Sequence, residues 1–153
     1  MDAPFTLKLP IRFSHTDPAG IVYFPNYFDF CNAAVEDLYT RALGVDYAKL
    51  IFESRRGTPI VHASCDFFVP SKMGDTLDAT VLLGEIGRSS IPIDIYFHAA
   101  DVLRLKAKLV TVHMDLDTRK SAPIPDGLRA RFDAYKAASA HWTPPAKPGE
   151  KQE

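Results

Sequence analysis

Tyr27-Phe28-Asp29-Phe30-Cys31-Asn32-Ala33-Ala34-Val35-Glu36-Asp37-Leu38-Tyr39-Thr40-Arg41-Ala42-Leu43 is the stretch on which the fold turns. At about 100° per residue, Tyr27, Phe28, Phe30, Cys31, Ala34, Val35, Leu38, Tyr39 and Ala42 fall in one arc, opposed by Asp29, Asn32, Glu36, Asp37 and Thr40. That arc is about 180° wide, against about 100° for an ordinary surface helix. Such a helix has to be wrapped by other structure, not merely touched by it. Gly44 stands where a helix usually stops, and Val45 to Glu53 fits a further short helix.

Outward from the helix the period changes from 3.6 to 2. Upstream, Phe5, Leu7, Leu9, Ile11 and Phe13 alternate with polar residues, which predicts a half-buried strand. Downstream, four more strands are predicted on apolar faces: Val61, Ala63, Cys65, Phe67 and Val69; Leu77, Ala79, Val81 and Leu83; Ile91, Ile93, Ile95 and Phe97; Leu103, Leu105, Ala107 and Leu109, the last continuing towards Leu116. Short connections imply antiparallel neighbours, and a last helix is predicted from Asp126 to Ala140. The plan is α+β, a five-stranded antiparallel sheet wrapped around one long helix with a C-terminal helix, the arrangement called the hotdog fold. Open sheet edges make a homodimer, or a homotetramer built of dimers, the expected assembly.

A chain of 153 residues is one domain's worth of polymer, so residues 1–142 are read as a single domain. The Pro- and charge-rich run 143–153 reads as a disordered tail. With 18 basic and 19 acidic side chains the net charge is -1, which offers no general field for nucleic acid or anionic lipid, so neither nucleic acid nor membrane is an expected partner. Met1-Asp2-Ala3-Pro4 lacks the basic and apolar regions of a signal peptide, and no apolar run approaches about 18 residues, so a cytoplasmic location is expected. Cys31 and Cys65 are read as reduced, packed thiols.

Between the first strand and the helix lies Ser14-His15-Thr16-Asp17-Pro18-Ala19-Gly20-Ile21-Val22-Tyr23-Phe24-Pro25-Asn26. It sets a carboxylate in an irregular turn ahead of a helix start, where unpaired backbone N–H groups can grip a developing oxyanion. Asp17 beside such donors has the chemistry of a nucleophile or base for acyl transfer; an Asp-Pro pair that simply caps a turn fits the same residues. His15 either orients Asp17, contacts substrate, or sits in solvent. No His-x-x-x-His or Cys-x-x-Cys spacing suggests a metal, and Gly-x-Ser-x-Gly, P-loop and dinucleotide motifs are missing.

The run Asp17 to Tyr27, together with Gly57-Thr58-Pro59-Ile60-Val61, resembles the aspartate-dependent branch of the 4-hydroxybenzoyl-CoA thioesterase family, with weaker similarity from about Leu7 to Leu116. The resemblance implies a thioester hydrolase acting on an aromatic acyl-CoA such as hydroxybenzoyl- or benzoyl-CoA, with a role in aromatic degradation. Coenzyme A enters as part of the substrate, and no separate cofactor or metal is expected. In this reading Asp17 attacks the thioester or directs water to it, the backbone amide of Phe24 polarises the carbonyl, and Tyr23 belongs to the same catalytic run. Asn32, His15 and Tyr27 are substrate-binding candidates, although Asn32, at the border of the helix's apolar arc, either reaches a cavity or points to solvent. Thr58 and Pro59 line the pantetheine channel, and Arg88, Ser89 and Ser90 receive the nucleotide, although a Gly-Arg-Ser-Ser hairpin turn needs no function. Two departures stand out. Short-chain relatives carry Tyr-His-Ala-Asn-Tyr where this chain has Tyr23-Phe24-Pro25-Asn26-Tyr27, which favours the aromatic side. At Asn32, 4-hydroxybenzoyl-CoA enzymes present an aspartate to the ring hydroxyl. The competing readings are a short-chain aliphatic acyl-CoA thioesterase and a non-catalytic acyl-CoA binding module.

Overall fold

A computed structural model of the chain describes residues 3–150. Its main sheet has five strands in the order β1-β4-β5-β6-β3, formed by β1 (Thr6–Pro10), β3 (Ile60–Phe67), β4 (Thr76–Leu83), β5 (Ser90–Ala99) and β6 (Val102–Val112), every neighbouring pair antiparallel. The helix α1 (Asn26–Asp37) lies on the concave face. Two-residue strands β2 (Arg56–Gly57), β7 (Met114–Asp115) and β8 (Lys120–Ser121) make a small second sheet; helices α2 (Tyr47–Phe52) and α3 (Asp126–Ser139) complete the fold.

The α1 arc and the alternating faces of β4, β5 and β6 meet to form the core. Cys31, Ala34 and Leu38 are fully buried, as are Leu77, Ala79, Val81, Ile91, Ile95, Phe97 and Ala107. Ala34, Ala79 and Ala107 let backbone and helix approach closely, so one sheet can curve round one helix. After Asp37 the helix widens into a π-type turn over Leu38–Ala42, closed by Leu43 N–H to Leu38 O at 2.9 Å, and Gly44 at φ +68° ends it. Asp46 caps α2 by accepting the Lys49 N–H at 3.0 Å. Tyr135 of α3 reaches through the core: its hydroxyl accepts the Phe5 N–H at 2.7 Å and donates to Val81 O at 2.6 Å.

Three segments differ from expectation. The first strand stops at Pro10, whose ring leaves no N–H for the ladder, and Phe13–His15 coil into a 3-10 turn that leaves Phe13 80% exposed. The predicted apolar face of β3 is only partly covered: Cys65 packs against the core, but Val61 is 62% exposed and Phe67 53%, and β3 pairs with β6 on one side only and is an open edge. Residues 143–150, expected in the tail, lie along the sheet. Leu103 N–H donates to Ala146 O at 3.0 Å, the Lys147 ammonium sits 5.2 Å from the Phe68 ring centroid, and Trp142 stacks near Tyr96. The rest of that tail, residues 151–153, lies outside the described residues, as do Met1 and Asp2.

Replacing Tyr135 by Phe removes both buried bonds and strands the Phe5 N–H and Val81 carbonyl. It is expected to lower unfolding free energy by about 1–3 kcal/mol in urea titration; a loss near zero would remove Tyr135 as a strut. A second expectation concerns pH. His113 is buried with neither ring nitrogen hydrogen-bonded. Burial, followed by the Arg56 guanidinium, holds its protonation below the ordinary 6.5. The unfolded chain therefore takes up the proton first, so this contribution to stability is complete above the ordinary value and drains as pH falls below it. The melting temperature should drop between about pH 7.5 and about pH 5.5, and the drop should shrink in His113→Phe. An identical drop in the variant would contradict the assignment; His98, also depressed by burial, accounts for the part that remains.

Candidate active site

The loop between β1 and α1 closes on itself before it meets the helix. Gly20 N–H donates to Asp17 O at 2.9 Å, Ala19 N–H donates to the Asp17 carboxylate Oδ1 at 2.8 Å, and Gly20 adopts φ +81°. Asp at the first turn position, Pro at the second and Gly at the fourth are the residues such a turn favours. Asp17 N–H to Ile21 O at 3.0 Å and Tyr23 N–H to His15 O at 2.9 Å zip the two arms together around a Thr16–Val22 bridge. Asp17 thus does cap its turn, but through Oδ1 only; among the described residues Oδ2 has no hydrogen-bond partner.

The first amides of α1 are consumed by tight turn bonds. Asn26 N–H donates to Tyr23 O, Tyr27 N–H to Phe24 O and Phe28 N–H to Pro25 O, at 2.9, 3.1 and 3.0 Å. Pro25 has no N–H to offer. The Phe24 N–H, one step earlier, has no partner among the described residues and stands at the positive end of the helix. The Asn26 side chain donates to His15 O at 2.8 Å and locks this corner.

Beside Phe24 lies a cavity of about 300 Å³ walled by Ile21, Val22, Phe24, Tyr27 and the run Phe67–Pro70. Apolar and aromatic surface dominates it, and Phe24, 60% exposed, forms one lip. Tyr27 contributes its ring, which packs edge-on against Phe30, Phe67 and Phe97 at 5.7 to 5.8 Å between centroids. Burial pushes its phenol up, partly offset by the Ser71 hydroxyl and the Arg104 guanidinium, so the hydroxyl stays protonated and faces Ser71. Tyr23 is half exposed and leans on the Phe24 ring at 5.7 Å. The His15 ring is engaged elsewhere: Nδ1 accepts the Arg12 N–H at 3.0 Å, and the ring sits edge-on to Phe30 at 5.0 Å, with no hydrogen bond to Asp17. Burial raises the Cys31 thiol to about 12, which leaves it no thiolate chemistry at neutral pH.

The remaining site residues gather at the other end of the sheet. Asn32 and Thr58 line a second cavity of about 250 Å³ together with Glu36, Tyr47, Ile60 and Thr111. Tyr47 Oη and Thr58 Oγ1 are 2.7 Å apart, and Pro59 O accepts the Val112 N–H at 3.1 Å. Glu36, exposed on the polar arc of the helix, is one turn beyond Asn32, so the i, i+4 spacing brings both to one wall, and no sequence signal pointed to Tyr47. Arg88, Ser89 and Ser90 lie in the turn before β5, closed by Gly87 N–H to Ser90 O at 2.9 Å. Ser90 pairs with Val112 and Ile60 with Thr111, so the turn belongs to the Ile60 end of the sheet, whereas Asp17, Phe24 and Tyr27 belong to the Phe67 end. Along β3 these ends are about 23 Å apart at a rise of about 3.3 Å per residue. Within one protomer the predicted residues therefore form two half-sites. Among the described residues no cluster of three or more His, Cys, Asp or Glu side chains could hold a metal, and no helix is long and apolar enough to cross a membrane.

Known proteins of similar sequence and fold are thioester hydrolases. A 1,4-dihydroxy-2-naphthoyl-CoA hydrolase of Nostoc punctiforme is 33% identical over 122 residues, covering 80% of this chain and 82% of the relative. The structure of a 1,4-dihydroxy-2-naphthoyl-CoA thioesterase from Synechocystis superposes with a TM-score of 0.76 at 27% identity, over 84% of this chain and 95% of the other. A gentisyl-coenzyme A thioesterase superposes at 0.77 with 26% identity, over 84% and 99%. Residues 11–132 match the family described as the thioesterase-like superfamily, which spans both half-sites, and the chain belongs to that superfamily.

Proposed function

We propose that the protein is a thioesterase that hydrolyses an aromatic acyl-CoA, of hydroxybenzoyl or benzoyl type, to the free acid and coenzyme A. The observation that carries this reading is that one hairpin-closed loop holds both the Asp17 carboxylate and, among the described residues, an unpartnered Phe24 N–H at the start of α1, and that Phe24 lines an aromatic-walled cavity. The cavity sits at the lower end of the roughly 300–1,000 Å³ range of small-ligand pockets, which suits one aromatic group. The names of the three relatives reported above, 1,4-dihydroxy-2-naphthoyl-CoA and gentisyl-coenzyme A hydrolases or thioesterases, support an aromatic substrate class.

The thioester carbonyl oxygen takes the Phe24 N–H, which gains strength as negative charge develops on that oxygen. Asp17 Oδ2 adds to the acyl carbon, or takes a proton from the water that does; Oδ1 stays on Ala19 N–H and keeps the side chain aimed. In the covalent version the C–S bond breaks, coenzyme A leaves as thiolate, and water splits the mixed anhydride to regenerate Asp17. Tyr27 forms part of the cavity wall, Tyr23 backs the Phe24 ring at its lip, and His15 fixes the loop through its carbonyl contacts to Tyr23 and Asn26.

The second half-site reaches this chemistry through assembly. Antiparallel self-pairing of the open β3 edge about a two-fold axis sets the Phe67 end of one copy against the Ile60 end of the other. That closes the Phe24 cavity with a second copy's Asn32 and Glu36 wall, and brings Thr58, Pro59 and the Arg88-Ser89-Ser90 turn alongside the coenzyme arm. Exposed Val61 and Phe67 on that edge are the surface such pairing would cover.

Asn at position 17 still accepts the Ala19 N–H. Asp17→Asn is therefore expected to fold and melt like the wild type while losing thiol release ~1000-fold or more. Assays with benzoyl-, 3- and 4-hydroxybenzoyl-, acetyl- and hexanoyl-CoA should show an aromatic preference. A preference for hexanoyl-CoA would reassign the enzyme to aliphatic chains, and binding without release from any of them would make it a binding module. Val61→Lys, a charge on the pairing edge, is expected to give a monomer in sedimentation with little turnover; a fully active monomer would break the two-fold arrangement.

A further inference from the structure

Arg104, on β6 at the Phe67 end of the sheet, makes four bonds there. Its carbonyl accepts the Phe68 N–H at 2.9 Å and the Val69 N–H at 3.1 Å. Two residues opposed to one is a bulge, which bends the chain off β3 and swings Phe68–Pro70 into the cavity wall. Its guanidinium Nη1 donates to Ser71 Oγ and to Asp75 Oδ2, each at 3.1 Å, from a side chain that is largely buried.

Both acceptors hold the loop that carries the chemistry. Ser71 is fully buried, and its carbonyl accepts the Val22 N–H at 2.8 Å; Val22 closes the Asp17 hairpin and stands two residues before Phe24. The Asp75 carbonyl accepts the Ile11 N–H at 2.8 Å, and Ile11 returns a carbonyl to Gly74 N–H at 3.0 Å. The loop is thus stapled to the 70–75 turn at both of its ends, and one nitrogen of Arg104 holds both staples. The Lys72 N–H, then Arg104, hold the Asp75 carboxyl below the usual carboxylate range, as expected of an anion fixed by several donors.

We propose that Arg104 is a positioning residue of the thioesterase reaction: through Ser71 and Asp75 it sets the distance between the acyl cavity wall and the Asp17–Phe24 pair. The inference rests on the functional reading above and adds to it a part of the chain that touches neither substrate nor reacting atoms. The core of β4, β5 and β6 does not pass through these bonds, so losing them shifts the loop without dissolving the fold. A displacement of about 1 Å at reacting groups can cost on the order of 100-fold in rate. Because both bonds spring from a single nitrogen, a lysine ammonium placed there can make them again.

The experiment compares Arg104→Met, Arg104→Lys and Ser71→Ala with the wild type on the aromatic acyl-CoA it turns over best, and follows amide hydrogen exchange of Val22 against β5 amides. Arg104→Met is expected to lower kcat by about tenfold or more with KM changed less than about threefold, and Arg104→Lys to recover most of that loss. Val22 should exchange about tenfold faster in Arg104→Met while the β5 amides hold. Should Arg104→Met fail to fold, Ser71→Ala cuts one of the two ties, along with the Tyr27 hydroxyl's contact to Ser71, and Val22 exchange, which Tyr27 does not hold, is the readout: it should quicken while the β5 amides hold. The proposal is overturned if kcat stays within about twofold, if the loss falls on KM alone, if the lysine variant is as poor as the methionine one, or if Val22 exchange is unchanged. Failure of the functional reading looks different: the wild type releases no thiol, or Asp17→Asn is fully active, while the exchange of Val22 still reports on Arg104.

Discussion

Burying α1 is the constraint from which the rest of the molecule follows. With Cys31, Ala34 and Leu38 sealed against the alternating faces of β4, β5 and β6, the helix axis has no freedom to slide. Its first turn is therefore fixed in space, and with it Tyr27, the turn bonds of Asn26 and Phe28, and the one amide, Phe24 N–H, that those bonds leave over. The polar end of a helix is usually placed in water or capped by a side chain; here Pro25 occupies the cap position and makes no side-chain hydrogen bond. The donor the core packing leaves unsatisfied is the one the proposed chemistry employs.

Elements whose burial is decided inside one protomer were the readable ones. Leu77, Val81, Ile93 and Leu105 alternate because one sheet face meets α1 and the other does not, and Tyr27 to Leu43 spells a wrapped helix because its arc is too wide for a surface. β3 defeats the same reasoning. Val61 and Phe67 alternate as a buried face would, yet the protomer leaves both more than half exposed, since periodicity reports that a face is apolar and not which molecule covers it. Phe13 fails for a local reason: Pro10 ends the ladder before the apolar period does.

Within the site, contiguous features were legible and assembled ones were not. Asp17, Phe24 and Tyr27 fall in one loop and helix start, so residue chemistry and the family likeness reach them together. Ser71, Asp75 and Arg104 are brought together by the register of β3 against β6 and by a bulge, neither of which has a spacing to read. Glu36 and Tyr47 share a wall with Asn32 and Thr58 only because α2 folds back over the Ile60 end.

Electrostatics at the Arg88 turn reduces to which cation is free. A coenzyme with several phosphates needs local positive charge on a chain whose formal charge is -1. Arg55 and Arg56 stand close by in the fold but are already paired, with Asp117 at 3.0 Å and Asp115 at 3.5 Å. Arg129 is engaged by the turn itself, donating to Gly87 O at 2.6 Å, and Ile124 N–H takes Arg88 O at 2.9 Å. Those two bonds hold the Arg88 backbone rigid while its exposed side chain meets no acid among the described residues. A guanidinium on a pinned turn loses less freedom on binding an anion than one on a mobile loop, which is the physical reason for proposing Arg88 as a phosphate contact.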